Sequence, residues 1–178
     1  MMNRLLKISA LSLLLLMTYS AQSLANALKV GDIAPDFTLV NQHAENIALS
    51  QFQGQWVILY FYPKDDTPGC TEEACSFRDN INRLMSQKAV ILGVSVDSSD
   101  SHKDFAKKHD LPFSLLADEN ADVAKLYDSV LDFKVIKFAK RHSFIIDPQG
   151  KIAKIYRDVD PKTHVRDVMA ELKLLQEK

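Results

Sequence analysis

The chain has 178 residues, 47% of them hydrophobic and 25% charged, which suits one globular domain with enough chain to bury a core. Its formal net charge is −1, with acidic and basic residues interspersed. That excludes a nucleic acid or an anionic membrane as a partner recognised through bulk charge.

The first 25 residues differ in kind from the rest. Arg4 and Lys7 form a basic start, Ile8 to Met17 is almost wholly apolar with four leucines at Leu13 to Leu16, and small residues follow. This is the layout of a secretory signal peptide, with candidate cleavage after Ala25 or Ala27. The apolar run falls short of the about 20 residues of a membrane span; an uncleaved N-terminal anchor is the alternative reading. No cysteine stands near the cleavage region to carry a lipid. Cleavage places the remaining domain, residues 28–178, in a periplasmic or otherwise exported, disulfide-permissive compartment.

Leu28 to Asp36 reads as an extended entry segment. Phe37 to Val40 and Asn46 to Leu49 read as short strands. Trp56 to Phe61 is a continuous apolar run rich in β-formers, the signature of a central strand buried on both faces, and Pro63 stops it. A helix is predicted from near Thr67 to Cys70, with Thr67 as cap, Glu72 and Glu73 as ordinary first-turn acids, and Ala74, Phe77, Ile81 and Leu84 at helical spacing. Ala89 to Val96 is a second buried strand, Asp100 to His109 a helix, Phe113 to Ala117 a strand and Asp122 to Tyr127 a short helix. Asp128 to Lys140 fits either a strand or a loop over a site. Ser143 to Ile146 and Lys151 to Val159 form a hairpin around Asp147-Pro148-Gln149-Gly150. A last helix opens with Asp160 as cap and Pro161 at its first position, and buries Val165, Val168, Leu172 and Leu175. Strands alternating with helices, then a hairpin and a helix, give an α/β sandwich with a mixed sheet in a single domain.

Chemistry concentrates between Tyr60 and Cys75. A buried strand delivers the chain to a loop that turns into a helix, and Cys70 falls in the first turn. There, free backbone N–H groups and the helix dipole favour an anion, so a thiol is expected to ionise more readily. Gly69 allows close backbone approach, and the Thr67 hydroxyl lies within reach of the sulfur. A thiolate attacking a peroxide needs donors for the departing oxygen and a means of removing the sulfenic acid that forms. Backbone N–H groups, Thr67 and an arginine supply the first. Cys75, condensing with the oxidised Cys70, can supply the second. Five helical residues subtend about 140° and roughly 7.5 Å of rise, too far for the roughly 4.4–6.8 Å between disulfide Cα atoms. Closure therefore requires the first turn to unwind. A purely structural disulfide over so short a loop would stabilise little.

Pro63-x3-Thr67-x2-Cys70 resembles the PxxxTxxC active-site motif of peroxiredoxins, and the surrounding FYPKDDTPGCTEEACSFRD resembles the bacterioferritin-comigratory, or Q-type, group. APDFTL at Ala34 to Leu39, GVSVD at Gly93 to Asp97 and RHSFIIDPQGKI at Arg141 to Ile152 extend the resemblance over nearly the whole domain. It implies a thioredoxin-like fold with no metal or organic cofactor. It also implies that Cys70 is peroxidatic and Cys75 resolving, that Pro63 shields the site, that Thr67 orients peroxide and thiolate, and that Arg141 polarises both. The substrates it implies are hydrogen peroxide and organic hydroperoxides. The reductant is a thioredoxin-like dithiol, which the leader requires to be exported, and the oligomeric state is a monomer. Asp128 to Lys140 matches the group less well.

Other features have plainer readings. Phe77 reads as core or pocket wall. The histidines His43, His102, His109, His142 and His164 show no metal-ligand spacing and read as solvated or structural. Two rival functions are an exported thiol–disulfide oxidoreductase, which ordinarily shows C-x-x-C, and a non-enzymatic redox-sensing or chaperone protein.

Overall fold

The structure, a computed structural model, describes residues 27–133 and 137–177; the leader expected over residues 1–25 lies outside the described residues. The strands in chain order are β1 (Thr38–Asn41), β2 (Asn46–Ala48), β3 (Trp56–Phe61), β4 (Ala89–Ser95), β5 (Ser114–Ala117), β6 (Val130–Asp132), β7 (Lys137–Ala139), β8 (Ser143–Ile146) and β9 (Ile152–Tyr156). The helices are α1 (Pro68–Asp79), α2 (Ile81–Ser86), α3 (Ser99–Lys108), α4 (Asp122–Leu126) and α5 (His164–Gln176).

Seven strands form one sheet in the order β2-β1-β5-β4-β3-β8-β9. β3, β4 and β5 are parallel, while β1, β8 and β9 join antiparallel, so the mixed α/β sheet expected from the sequence is present. β3 occupies the centre, and its alternation explains the unbroken apolar run. Ile58 and Tyr60 point into a core shared with α1, α2, α3 and α5. Val57, Leu59 and Phe61 point into a second core shared with α4, Phe37 and β8. Burying each such side chain contributes roughly 1.5–3 kcal/mol, which makes β3 the rigid rail that ends at the site.

The structure corrects two boundaries and resolves one open segment. The helix predicted to run from Thr67 through Leu84 breaks at Asn80, where the side-chain amide donates to the Ser76 carbonyl at 2.9 Å and the backbone leaves helical geometry. A short polar side chain offers the helix a competing partner; Phe77 and Leu84 still reach the same core. The last helix starts at His164. Asp160 closes a turn instead, its carbonyl accepting from the N–H groups of Thr163 and His164. The segment Asp128 to Lys140 holds a small antiparallel pair, β6 with β7, with Val130 opposite Ala139. The Lys140 N–H ties its base to the Ser129 carbonyl at 2.6 Å.

Gly93 on β4 stands directly beside Tyr60 on β3. A methyl group there would lie 2.7 Å from Tyr60 Oη and 2.9 Å from a Leu115 methyl. The Tyr60 ring is buried and stacked among Tyr62, Phe77 and Phe113, so it has nowhere to retreat. Gly93→Ala is expected to lower unfolding stability by about 1–3 kcal/mol through overpacking, read as an earlier urea midpoint.

Candidate active site

β3 and α1 place Cys70. The chain leaves the sheet after Phe61, whose N–H donates to the His142 carbonyl at 2.8 Å, and Tyr62 still bonds the Val94 carbonyl at 3.0 Å. Pro63 is half-buried beyond it. Thr67 is the N-cap of α1 by backbone conformation, but its hydroxyl donates to the Lys64 carbonyl at 3.0 Å and makes no capping bond. Pro68 is the first helical residue and Cys70 the third. By the geometry of any helix, the N–H groups of Gly69 and Cys70 have no carbonyl one turn back to receive them.

The loop between Pro63 and Thr67 is clamped from below. Asp65 is buried, and its carboxylate accepts from Tyr62 Oη at 2.7 Å, Ser101 Oγ at 2.7 Å and His102 Nδ1 at 2.9 Å. Its backbone N–H donates to Asp97 at 2.9 Å, and Asp97 in turn accepts from Ser95 Oγ at 2.6 Å. Outside the clamp, Asp66 takes a left-handed conformation, φ 56°, which short polar side chains tolerate. His102, expected to be solvated or structural, is a buried structural member of this clamp.

Arg141 comes from the other side. It sits between β7 and β8, turned inward, and its Nη2 donates to Cys70 Sγ at 3.2 Å. Its flanks are pinned by the Lys140 and His142 backbone bonds and by His142 itself, whose Nδ1 accepts from Arg157 at 3.2 Å and lies 3.0 Å from Ser129 Oγ. Burial, then the Arg157 charge, pulls His142 down to about 4, so the ring is neutral near pH 7. Of the residues singled out in the sequence, Cys70 and Arg141 are in contact, with Pro63 and Thr67 in the adjoining loop. Cys75 is half-buried further along α1; both cysteines are free thiols within an intact helix.

One functional residue escaped the sequence reading. Glu73 is not a first-turn acid: with Pro68 first in the helix, it lies in the second turn and is fully buried. It forms an ion pair with Arg141 Nη1 through Oε2. Its other oxygen lies 3.9 Å from Nε2 of His164, which is 2.8 Å from Ser143 Oγ. Burial raises Glu73 to about 7 despite the Arg141 charge and hydrogen bond, which pull it down. The signal was available in the spacing: Cys70, Glu73 and Phe77 share one helical face, so a carboxylate stands in an otherwise apolar stripe. Among the described residues, no group of three or more His, Cys, Asp or Glu is arranged to hold a metal ion.

The arrangement presents a buried sulfur to a guanidinium N–H and to free helix N–H groups. A developing negative charge beside that sulfur would meet the same donors. The AhpC/TSA family model matches residues 30–155. Peroxiredoxin Bcp of Bacillus subtilis is 42% identical over 158 residues, covering 85% of this chain and 99% of its own. Chloroplastic peroxiredoxin Q of Sedum lineare is 41% identical over 82% of this chain and 77% of its own. Among solved structures, peroxidoxin BcpB of Mycobacterium tuberculosis superposes with a TM-score of 0.78 at 30% identity, over 83% of this chain and 97% of its own. A cysteine-to-serine mutant of PrxQ from Xylella fastidiosa gives 0.78 at 30% identity, over 84% and 98%.

The Asp65 clamp yields a test. His102→Leu removes one of three side-chain donors to a buried carboxylate and is expected to cost about 1–3 kcal/mol. Asp65→Ala removes the acceptor that all three donors share and is expected to cost more, about 3–5 kcal/mol. Urea unfolding of both variants gives the comparison; equal and negligible losses would show that the clamp does not hold the loop.

Proposed function

The chain belongs to the AhpC/TSA family, alongside the Bcp and peroxiredoxin Q proteins, and from that premise we propose that Cys70 is its peroxidatic sulfur and Cys75 its resolving one. It is a peroxiredoxin, a thiol peroxidase of antioxidant function on the thioredoxin-like fold of that family. The observation that carries the assignment of Cys70 is the contact of its buried sulfur with Arg141 at the open end of α1.

The Cys70 thiolate attacks one peroxide oxygen in line with the O–O bond. Arg141 and the Gly69 and Cys70 N–H groups stabilise the charge that develops on the departing oxygen. The Thr67 hydroxyl already gives its hydrogen to Lys64, which leaves its oxygen free to accept from the peroxide O–H. Pro63 walls the loop side. Resolution then joins Cys70–SOH to Cys75 with loss of water. An intact α1 holds the pair too far apart, so the first turn unwinds as the disulfide forms. The substrates are hydrogen peroxide and organic hydroperoxides. The leader at residues 1–25 supports export, and an exported thioredoxin-like dithiol as reductant; the working unit is a monomer. A thiol that is 1% exposed is poorly placed for direct exchange with another protein's disulfide, which weighs against the oxidoreductase alternative.

Peroxide consumption with dithiothreitol tests the assignment. Rapid loss is expected with the wild type and none above background with Cys70→Ser; no loss in either, with thiols shown to be reduced, would sink it. Cys75→Ser is expected to consume the first equivalent and then over-oxidise at Cys70, read as sulfinate by mass spectrometry. Arg141→Lys keeps the charge but loses the planar fork that reaches sulfur and carboxylate together. Its rate with peroxide is expected to fall about 10²–10³-fold.

A further inference from the structure

Arg141 carries one charge and has two buried partners that can be anions. Nη2 reaches Cys70 Sγ at 3.2 Å while Nη1 pairs with Glu73 Oε2. The other titratable groups facing Glu73 add no positive charge. His164, from α5, is pulled down to about 4, chiefly by burial, and is neutral near pH 7. Tyr60, from β3, is pushed well above the ordinary phenol range by burial, then by the Glu73 and Cys70 charges, and stays neutral as well. Glu73 Oε1 is buried with no hydrogen-bond partner among the described residues. A carboxylate oxygen left in that state is costly, and a carboxylic acid much less so. Two anions around one guanidinium in a dry site oppose each other.

We infer that the Cys70 thiolate and the Glu73 carboxylate exclude one another, and that Glu73 holds the proton whenever Cys70 is ionised. This rests on Cys70 being the reacting sulfur. The reduced site is then Cys70–S⁻, Arg141⁺ and Glu73–COOH, with no net charge. Attack forms an S–O bond as the O–O bond breaks: Cys70–S⁻ + ROOH gives Cys70–SOH + RO⁻, sulfur being oxidised and the peroxide reduced. Glu73 releases one proton as RO⁻ takes one up to become ROH. The oxidised site is Cys70–SOH, Arg141⁺ and Glu73–COO⁻, again without net charge. Glu73 acts through Arg141 and is a positioning residue; what it positions is the charge as well as the guanidinium.

The experiment is an infrared pH titration of the Glu73 carboxyl band in the purified protein: reduced wild type, Cys70→Ser, and Cys75→Ser oxidised with one equivalent of hydrogen peroxide, which keeps Cys70 as the sulfenic acid. Glu73→Gln assigns the band by removing it; if that variant fails to fold, Glu73→Asp assigns it by shifting it. Cys70→Ser and the oxidised Cys75→Ser protein are expected to titrate together, with reduced wild type ~1 pH unit higher. Identical midpoints in reduced wild type and Cys70→Ser would overturn the inference, as would a Glu73 ionised throughout; a carboxylate that merely holds Arg141 in place predicts the former. Cys70 thiol loss is counted in the same oxidised samples. Absence of thiol loss would refute the peroxidase assignment while leaving the comparison of reduced wild type with Cys70→Ser decisive for the coupling.

Discussion

Arg141 can touch Cys70 only because two segments far apart in sequence leave the sheet at the same end. β3 runs toward the site and hands its chain to α1; β8 runs antiparallel beside it and receives its chain from Arg141. The bond from the Phe61 N–H to the His142 carbonyl fixes the two exits against each other. From that one constraint the other placements follow. Glu73 must lie on the Cys70 face of α1 to share the guanidinium. Gly69 lies against Arg141 and Pro161: a methyl carbon there would touch each at 3.4 Å, which leaves little room for anything larger. The turn that carries Pro161 also starts α5 late enough to bring His164 in behind Glu73.

α1 is built unevenly along its length. Its first turn contains Pro68 and Gly69, and glycine costs about 1 kcal/mol relative to alanine in a helix. No side chain caps it and no acid stands in its first turn. Beyond Pro68 at its first position, local terms thus do little to hold it, and the Arg141 contacts with Cys70 and Glu73 add to the burial of Cys70 in the core. The far end is secured differently: Phe77 is buried in the core, and Arg78 Nη1 donates to the His109 carbonyl at 2.7 Å. Joining Cys70 to Cys75 needs one turn to open. In the proposed resolution step, the distribution of contacts would confine opening to the first turn, and the Arg141–Cys70 contact would be lost in the same event.

Much of this was legible in the sequence because the relevant signals were local or periodic. Trp56–Phe61 matches its apolar run residue for residue, and the strand–loop–helix passage around Cys70 follows from Pro63, Pro68 and the stripe of Ala74 and Phe77. What failed was whatever depended on a tertiary partner. Glu73 was misread because placing it in the first turn made it an ordinary acid at a helix N-terminus, and no local feature names an arginine 68 residues away. The hairpin of β6 and β7 is short and mixed in character, held by its base at Ser129 and Lys140 rather than by its own pattern. Thr67 shows the same limit on a finer scale. Its cap position was readable, but the choice of Lys64 over the helix as hydrogen-bond acceptor was not.

The location of unsatisfied polar atoms bears on why the site is built this way. Among the described residues, the buried side-chain atoms without a partner are Tyr60 Oη, Glu73 Oε1, His102 Nε2 and Gln87 Oε1. Glu73 pairs with the Arg141 that touches the sulfur, Tyr60 feels the charges of both Glu73 and Cys70, and His102 bonds the Asp65 that clamps the loop. Such atoms cost stability wherever they occur. A buried carboxylate on the Cys70 face of α1 is not what packing alone would produce, since Phe77 and Leu84 show that α1 and α2 have ample apolar surface to offer the same core. The sheet and its two cores supply the stability that lets a charged, incompletely satisfied cluster stay buried. In return, the low polarity of that cluster makes one guanidinium strong enough to govern both a thiol and a carboxyl group.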